Sequence, residues 1–318
     1  MKALRLRLCV ALSVAVPFIG AASPALALAN RVFVSARSGN DSNPCSNILT
    51  PCQTFAGAVL QLNPGGEAIV LDSGGYGPVT ITQALTIEAP PGVLAFIHPP
   101  SGAGITISAG ASDTVILRGL TINGPSVSVG ISVGTVGALF IENCSVSGFV
   151  NGIEVDQGVN MLVKDSLFRA NTQAGVDIVP NIIGTGTAHS TFDHCRFEYN
   201  GSFGLAQIDG SVTVVRDSVV SHNGNPGGDG LDARTQNGGG TTTLTVTDCL
   251  VSYNGAGVLS YNLSGTGTPT VSIGGSTVNN NISCGLRNIS ATFNSLGNNL
   301  VTGNSPDTCG TITVVSGK

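Results

Sequence analysis

Short blocks of alternating apolar and polar residues recur along the chain, at residues 140–146, 162–168, 191–197, 214–220 and 245–251. The fifth residue of each block is a small anchor: Cys144, Ser166, Cys195, Ser218 and Cys249. Looser copies put Leu120 before this set and Ser276 and Asn298 after it, at intervals of 24, 22, 29, 23, 31, 27 and 22 residues. Apolar side chains stand three before the anchor (Ile141, Val163, Phe192, Val215, Val246) and two after it (Val146, Phe168, Phe197, Val220, Val251). That period of two is the signature of strands. Five residues after the anchor comes asparagine in five consecutive units: Asn171, Asn200, Asn223, Asn254 and Asn281. A second strand then opens on glycine and an aliphatic residue, from Gly130 and Ile131 to Gly285 and Leu286.

Units this short must stack on one another to bury a face. One coil per unit, short strands and polar turns predict an all-β fold, a parallel β-helix (solenoid). A β-sandwich also uses short strands but would not repeat asparagine at one offset in five units. Stacked coils bring equivalent residues about 4.8 Å apart, so the asparagines can form a hydrogen-bonded ladder. Strands at 68–71, 79–81, 85–87 and 105–107 extend the stack toward the N-terminus, for roughly ten coils in all. The open end of the stack needs a cap. Residues 54–62 predict a short helix, with Thr54 as N-cap, Phe55, Val59 and Leu62 on one face, and Pro64 with Gly65 as its stop.

Composition narrows the class. Lys and Arg total 13 against 18 Asp and Glu, charged residues make up 10%, and mean hydropathy is +0.32. A coiled coil, a disordered chain and nucleic acid as partner are all disfavoured by this balance. Lys2, Arg5 and Arg7 precede an uncharged apolar run over 8–28, and Ala27, Leu28 and Ala29 form a small-x-small cleavage signal. Residues 1–29 are therefore expected to be a signal peptide, with a mature chain that is secreted or periplasmic. It would be divided into a head and cap at 30–66 and a β-helix domain at 67–318. No later segment offers the roughly 20 apolar residues of a membrane span. Loss of three basic residues leaves 10 against 18 acidic ones, a formal charge of −8.

The head carries Phe33, Ser35, the run Gly39 to Pro44, Pro51, Thr54, Phe55, Ala58, Val59, Pro64, Gly65, Gly75 and Tyr76. It resembles the start of secreted right-handed parallel β-helix proteins of the pectin-lyase-like superfamily. The resemblance, with its repeats, covers nearly all of the mature chain. It implies the fold and its hand, in keeping with the crossover rule. It implies no single reaction, because the superfamily holds lyases, hydrolases and epimerases.

Among the cysteines, Cys45 with Cys52 and Cys284 with Cys309 read as disulfide staples at the two ends. Cys144, Cys195 and Cys249 occupy alternate coils about 9.6 Å apart, too far for a disulfide, and are expected to be buried thiols.

Three outward rows could carry chemistry. Two before the anchor, Arg118, Glu142, Lys164, Asp193 and Arg216 alternate in sign, as an ion-pair ladder would. One before the anchor stand Asn143, Asp165, His194, Asp217 and Asp248, in which His194 could serve acid–base work and the aspartates a cation. After the glycine-aliphatic step, Glu154 and Asp177 fall on adjacent coils, with Asp156 on the same side. Carboxylates so placed cost energy unless hydrated, protonated or bound to Ca²⁺, the one cofactor expected, held by Glu154, Asp156 and Asp177. Asp229, Asp232 and Arg234 add polar groups nearby. The ligand-facing set is thus Glu154, Asp156, Asp177, Asp232, Arg234, Asp165, His194 and Asp217. The expected protein is a monomeric exported scaffold, non-catalytic or glycan-interacting, whose partner is a polysaccharide or cell-surface glycan. The other reading is a carbohydrate-active enzyme of lyase, hydrolase or epimerase type.

Overall fold

The computed structural model describes residues 28–125, 128–180, 186–224, 227–236, 240–263 and 267–316. Residues 1–27, and with them most of the expected signal peptide, lie outside the described residues. The chain winds into a right-handed parallel β-solenoid of three sheets, containing twelve, ten and ten strands. Every strand pairing is parallel, and the chain visits the sheets in the order one, two, three in each coil. Sheet one runs from the strand Ala29–Val34 to Thr313–Val315, sheet two from Gly74–Gly75 to Leu300–Thr302, and sheet three from Val79–Ile81 to Thr308–Cys309.

The coil with strands Ala138–Glu142, Ser145–Ser147 and Asn151–Val155 illustrates the local logic. What reads in sequence as one strand across the anchor is two, because Asn143 takes a left-handed φ of 52° and turns the chain into sheet two. Gly148, at φ 75°, turns it again toward sheet three. Alternation sends Leu139, Ile141, Val146, Ile153 and Val155 to the interior, all fully buried. Each such side chain contributes roughly 1.5–3 kcal/mol of burial, and adjacent coils stack like on like.

The anchors explain themselves as structure. The hydroxyl oxygens of Ser166, Ser218 and Ser276 accept from the backbone N–H of Cys144, Cys195 and Cys249 at 3.0–3.1 Å. Each serine also donates to a carbonyl two residues upstream in its own coil. The three thiols are buried and free, and burial pushes the pKa of Cys144 and of Cys195 up to about 12. Disulfides join Cys45 to Cys52 and Cys284 to Cys309. The asparagine ladder runs as expected and one step further: the Nδ2 of Asn171, Asn200, Asn223, Asn254 and Asn281 each donates to the next Oδ1, ending on Asn304, at 2.8–3.1 Å.

The N-terminal end departs from expectation in two ways. The helix covers only Phe55–Val59, although Thr54 caps it by accepting from the Gly57 N–H. Leu62, expected on the helix face, instead opens the strand Leu62–Val70 and is buried, while Leu60 is 74% exposed. Pro64 and Gly65 lie within that strand rather than stopping the helix. Burying Leu62 in sheet one ends the helix a turn early. The outermost edge is formed by Ala29–Val34, paired in parallel with Leu62–Val70. Strands Gly74–Gly75 and Ala95–Ile97, not apparent in the sequence pattern, complete sheet two near this end. Among the described residues, no helix is long and apolar enough to cross a membrane.

Candidate functional site

The outward face of sheet three assembles the carboxylates. Glu154 pairs in register with Asp177, Asp177 with Ala206, and Ala206 with Asp232. The Asn151 Nδ2 donates to Glu154 Oε2 at 2.8 Å, which orients that carboxylate. Asp156 follows the same strand, and its Oδ1 is buried with no hydrogen-bond partner among the described residues. Burial, then the charge of Glu154, raises the Asp156 pKa. Asp177 is pushed from an ordinary 3.8 up to about 6 by burial and Glu154, with Arg234 opposing. The three acids therefore sense one another, as their spacing predicts.

The acidic row has a basic neighbour in Arg234. Arg234 lies two residues beyond Asp232 in the strand Asp229–Thr235 and forms an ion pair with it. Its guanidinium sits 5.1 Å from the centroid of the Phe203 ring. Burial lowers the Arg234 pKa, while the charges of Asp229 and Asp177 pull it up. Asp232 is fully buried, and Asp229 nearly so. Burial raises the Asp229 pKa against the pull of Arg234 and Arg287. Arg234 thus leans one coil back over Phe203, and its charge is felt by Asp177 one coil further, which register alone does not reveal.

The row before the anchor has a backbone cause. Asn143, Asp165, His194, Asp217 and Asp248 all adopt left-handed φ between 49° and 53°. Asn and Asp enter that region more readily than other side chains, so turn geometry accounts for the aspartates here. Single ligand atoms of Asp193, His194 and Asp217 lie within 4.8 Å of one another. Asp193 is already engaged: one oxygen meets His194 Nδ1 at 2.6 Å and the other Arg216 at 2.7 Å. Burial raises its pKa, but the hydrogen bonds from His194 and Arg216 outweigh this and hold it below the ordinary value.

The charge ladder two before the anchor is in the expected register, with Glu142 opposite Arg118 and Lys164, and Asp193 opposite Lys164 and Arg216. Its contacts are uneven. Arg118 pairs with Glu142 at 2.7 Å and with Glu88 at 3.7 Å. Lys164 makes no ion pair among the described residues. A fourth row was not singled out in the sequence: Tyr199, His222 and Tyr253, four residues past successive anchors, stack on one another at the surface. Ring residues at that one offset in three consecutive units are the signal that could have found them.

No curated protein matches the chain in sequence. Among solved structures, it is similar to an alginate lyase from Paenibacillus sp. str. FPU-7, with TM-score 0.64 and 14% identity over 90% of this chain and 100% of that one. It is also similar to pectate lyase Pel9A, with TM-score 0.60 and 16% identity over 86% and 79%. Tailspike protein 2 of an Escherichia coli O157:H7 bacteriophage aligns with TM-score 0.60 and 14% identity, over 91% of this chain and 41% of the tailspike. At such identities these likenesses speak for the fold alone. The family model described as "Right handed beta helix region" matches residues 129–304, more than half of the chain and every coil of the site, and the chain belongs to that family.

Proposed function

We propose that this chain is an exported β-helix scaffold that binds an acidic polysaccharide through the outward face of sheet three, with Ca²⁺ bridging the two. The observation that carries this reading is Glu154 in register with Asp177 on the adjacent coil, with Asp156 two residues along the same strand face. Their oxygens do not already lie within 4.8 Å of one another, so a bound ion would have to draw them together. Asp156 there has an orphaned buried oxygen, and burial with the charge of Glu154 raises the Asp177 pKa to about 6 against the pull of Arg234. Oxygen-rich sites of this kind suit Ca²⁺, which takes carboxylates readily. Glu154, Asp156 and Asp177 would hold the ion and could share it with a sugar carboxylate. A chain of formal charge −5, more negative once a basic leader is removed, otherwise repels a polyanion. Two end disulfides suit an oxidising, extracytoplasmic compartment. Two similar structures are named as lyases of alginate and pectate, which supports a glycan as the partner class.

Calorimetric titration of Ca²⁺ into the wild type and into an Asp177→Asn, Glu154→Gln double variant tests the site. Binding to the wild type alone is expected. Equal heats, or none, would leave the acidic face a solvated surface.

A second reading is enzymatic, and one observation favours it: Asp177, titrating near 6, stands beside Glu154 in register. Such a pair could hold and pass a proton in lyase, hydrolase or epimerase chemistry. Assay of any bound polysaccharide for unsaturated or shortened products separates enzyme from scaffold.

A further inference from the structure

The turn between sheets two and three carries a row in which every residue has left-handed φ: Gly148 (75°), Ala170 (53°), Tyr199 (56°), His222 (57°), Tyr253 (57°), Asn280 (54°) and Gly303 (72°). Glycine, asparagine and histidine enter this conformation readily, whereas the bulky tyrosine side chains of Tyr199 and Tyr253 do not. Three rings nevertheless occupy consecutive coils. Tyr199 stacks on His222 with centroids 4.6 Å apart, and His222 on Tyr253 at 5.1 Å, with interplanar angles of 18° and 19°. Tyr199 remains 57% exposed and Tyr253 50%. Strained, exposed aromatic side chains tend to mark sites of recognition rather than packing.

The stack is closed at one end and open at the other. Beyond Tyr253 stands Asn280, whose Nδ2 donates to the Tyr253 hydroxyl at 3.3 Å. On the far side of Tyr199 the row offers only the methyl of Ala170 and then Gly148. Two coils at about 4.8 Å each leave a slot deep enough for one more stacked ring. At its rim, Arg169 is exposed and makes no ion pair among the described residues. The adjacent acid, Glu198, is held by Arg196. The rim of Arg169, Arg196 and Glu198 thus carries one net positive charge on an otherwise acidic protein.

We propose that the open face of Tyr199, over Ala170 and beside Arg169, is a docking site for a pyranose ring bearing a carboxylate. A pyranose lays its C–H face on an aromatic ring and keeps its polar groups at the edge. A guanidinium matches a carboxylate bidentately. The inference rests on the glycan reading above but uses a different surface and needs no metal ion.

The probes are a uronic-acid trisaccharide and its carboxyl-reduced neutral counterpart, titrated calorimetrically in EDTA. Circular dichroism checks that each variant is folded. Tyr199→Ala, and Ala170→Tyr, which fills the slot with a ring, should each weaken the acidic sugar tenfold or more. Arg169→Gln should weaken the acidic sugar several-fold and leave the neutral one unchanged. Wild-type affinity in both Tyr199→Ala and Ala170→Tyr, or equal loss of both sugars in Arg169→Gln, overturns this assignment. If the wild type binds the acidic sugar only with Ca²⁺, the slot is refuted while the reading of the acidic face survives. Binding under neither condition refutes both.

Discussion

Asp177 condenses the chemistry of the acidic face into one group. Burial and Glu154 raise its pKa from 3.8 to about 6, so the folded chain keeps a proton that the unfolded chain has released. Stability should therefore fall as pH rises between about 4 and 6, and the deficit should persist at neutral pH. Asp177→Asn removes it. In EDTA the variant is expected to be more stable than the wild type at pH 7 by about 1–2 kcal/mol, after discounting for partial exposure, and about equal at pH 4. Denaturant midpoints at the two pH values check this, and a difference that does not change with pH would place Asp177 at an ordinary carboxylate value. At the same scale, the alternation of cysteine and serine anchors is a hydrogen-bond device. A serine hydroxyl accepts the N–H of the preceding cysteine, as between Ser218 and Cys195.

At the scale of the element, six successive strands of sheet one, from Glu88 to Arg216, place charges in a register that alternates in sign. Lys164 stands between Glu142 and Asp193 without contacting either within ion-pair distance, so its part is to separate two acids. Lys164→Glu would put three acids in a row at about 4.8 Å intervals. It should destabilise by about 0.5–1 kcal/mol at low ionic strength and less in high salt, because exposed charges are screened. Thermal unfolding at two salt concentrations measures the difference, and a melting temperature unaffected by the substitution at low salt contradicts the ladder. The capping helix shows where element-level reading fails. Phe55, Val59 and Leu62 have helical spacing, but Leu62 buries more fully in the strand Leu62–Val70. Tertiary burial overrode a local period.

For the whole molecule, stability passes from coil to coil through the core and the asparagine ladder. Asn223 donates to Asn254 and to the Phe197 carbonyl, and accepts from Asn200. Asn223→Ala leaves buried groups unpaired on both neighbouring coils, so a loss of about 2–4 kcal/mol is expected from two or more orphaned partners. Hydrogen exchange should show the loss spread over the coils on either side, since each repeat is stabilised by its neighbours. Protection lost only at residue 223 would mean that the ladder is not cooperative. Gly204 belongs to the same construction: a Cβ there would lie 2.6 Å from the Gly230 carbonyl oxygen and 3.0 Å from Asn223 Nδ2.

The sequence by itself determined the solenoid, its repeat, the inward anchors and the asparagine ladder. All of these follow from one-dimensional periodicity, and a parallel stack in register turns equal offsets into contacts. For the same reason Glu154 could be placed beside Asp177 before any coordinates. What the tertiary structure alone decided lies off that register. The left-handed turn at each Asn143-like position splits one apparent strand between two sheets. Arg234 leans over Phe203 and its charge is felt at Asp177 two coils away, because a long side chain leaves its own row. Tyr199, His222 and Tyr253 become a surface stack only once the turn points them outward. Spacing along a chain fixes which residues neighbour one another in a ladder, but side-chain length, burial and backbone hand decide what those neighbours can reach.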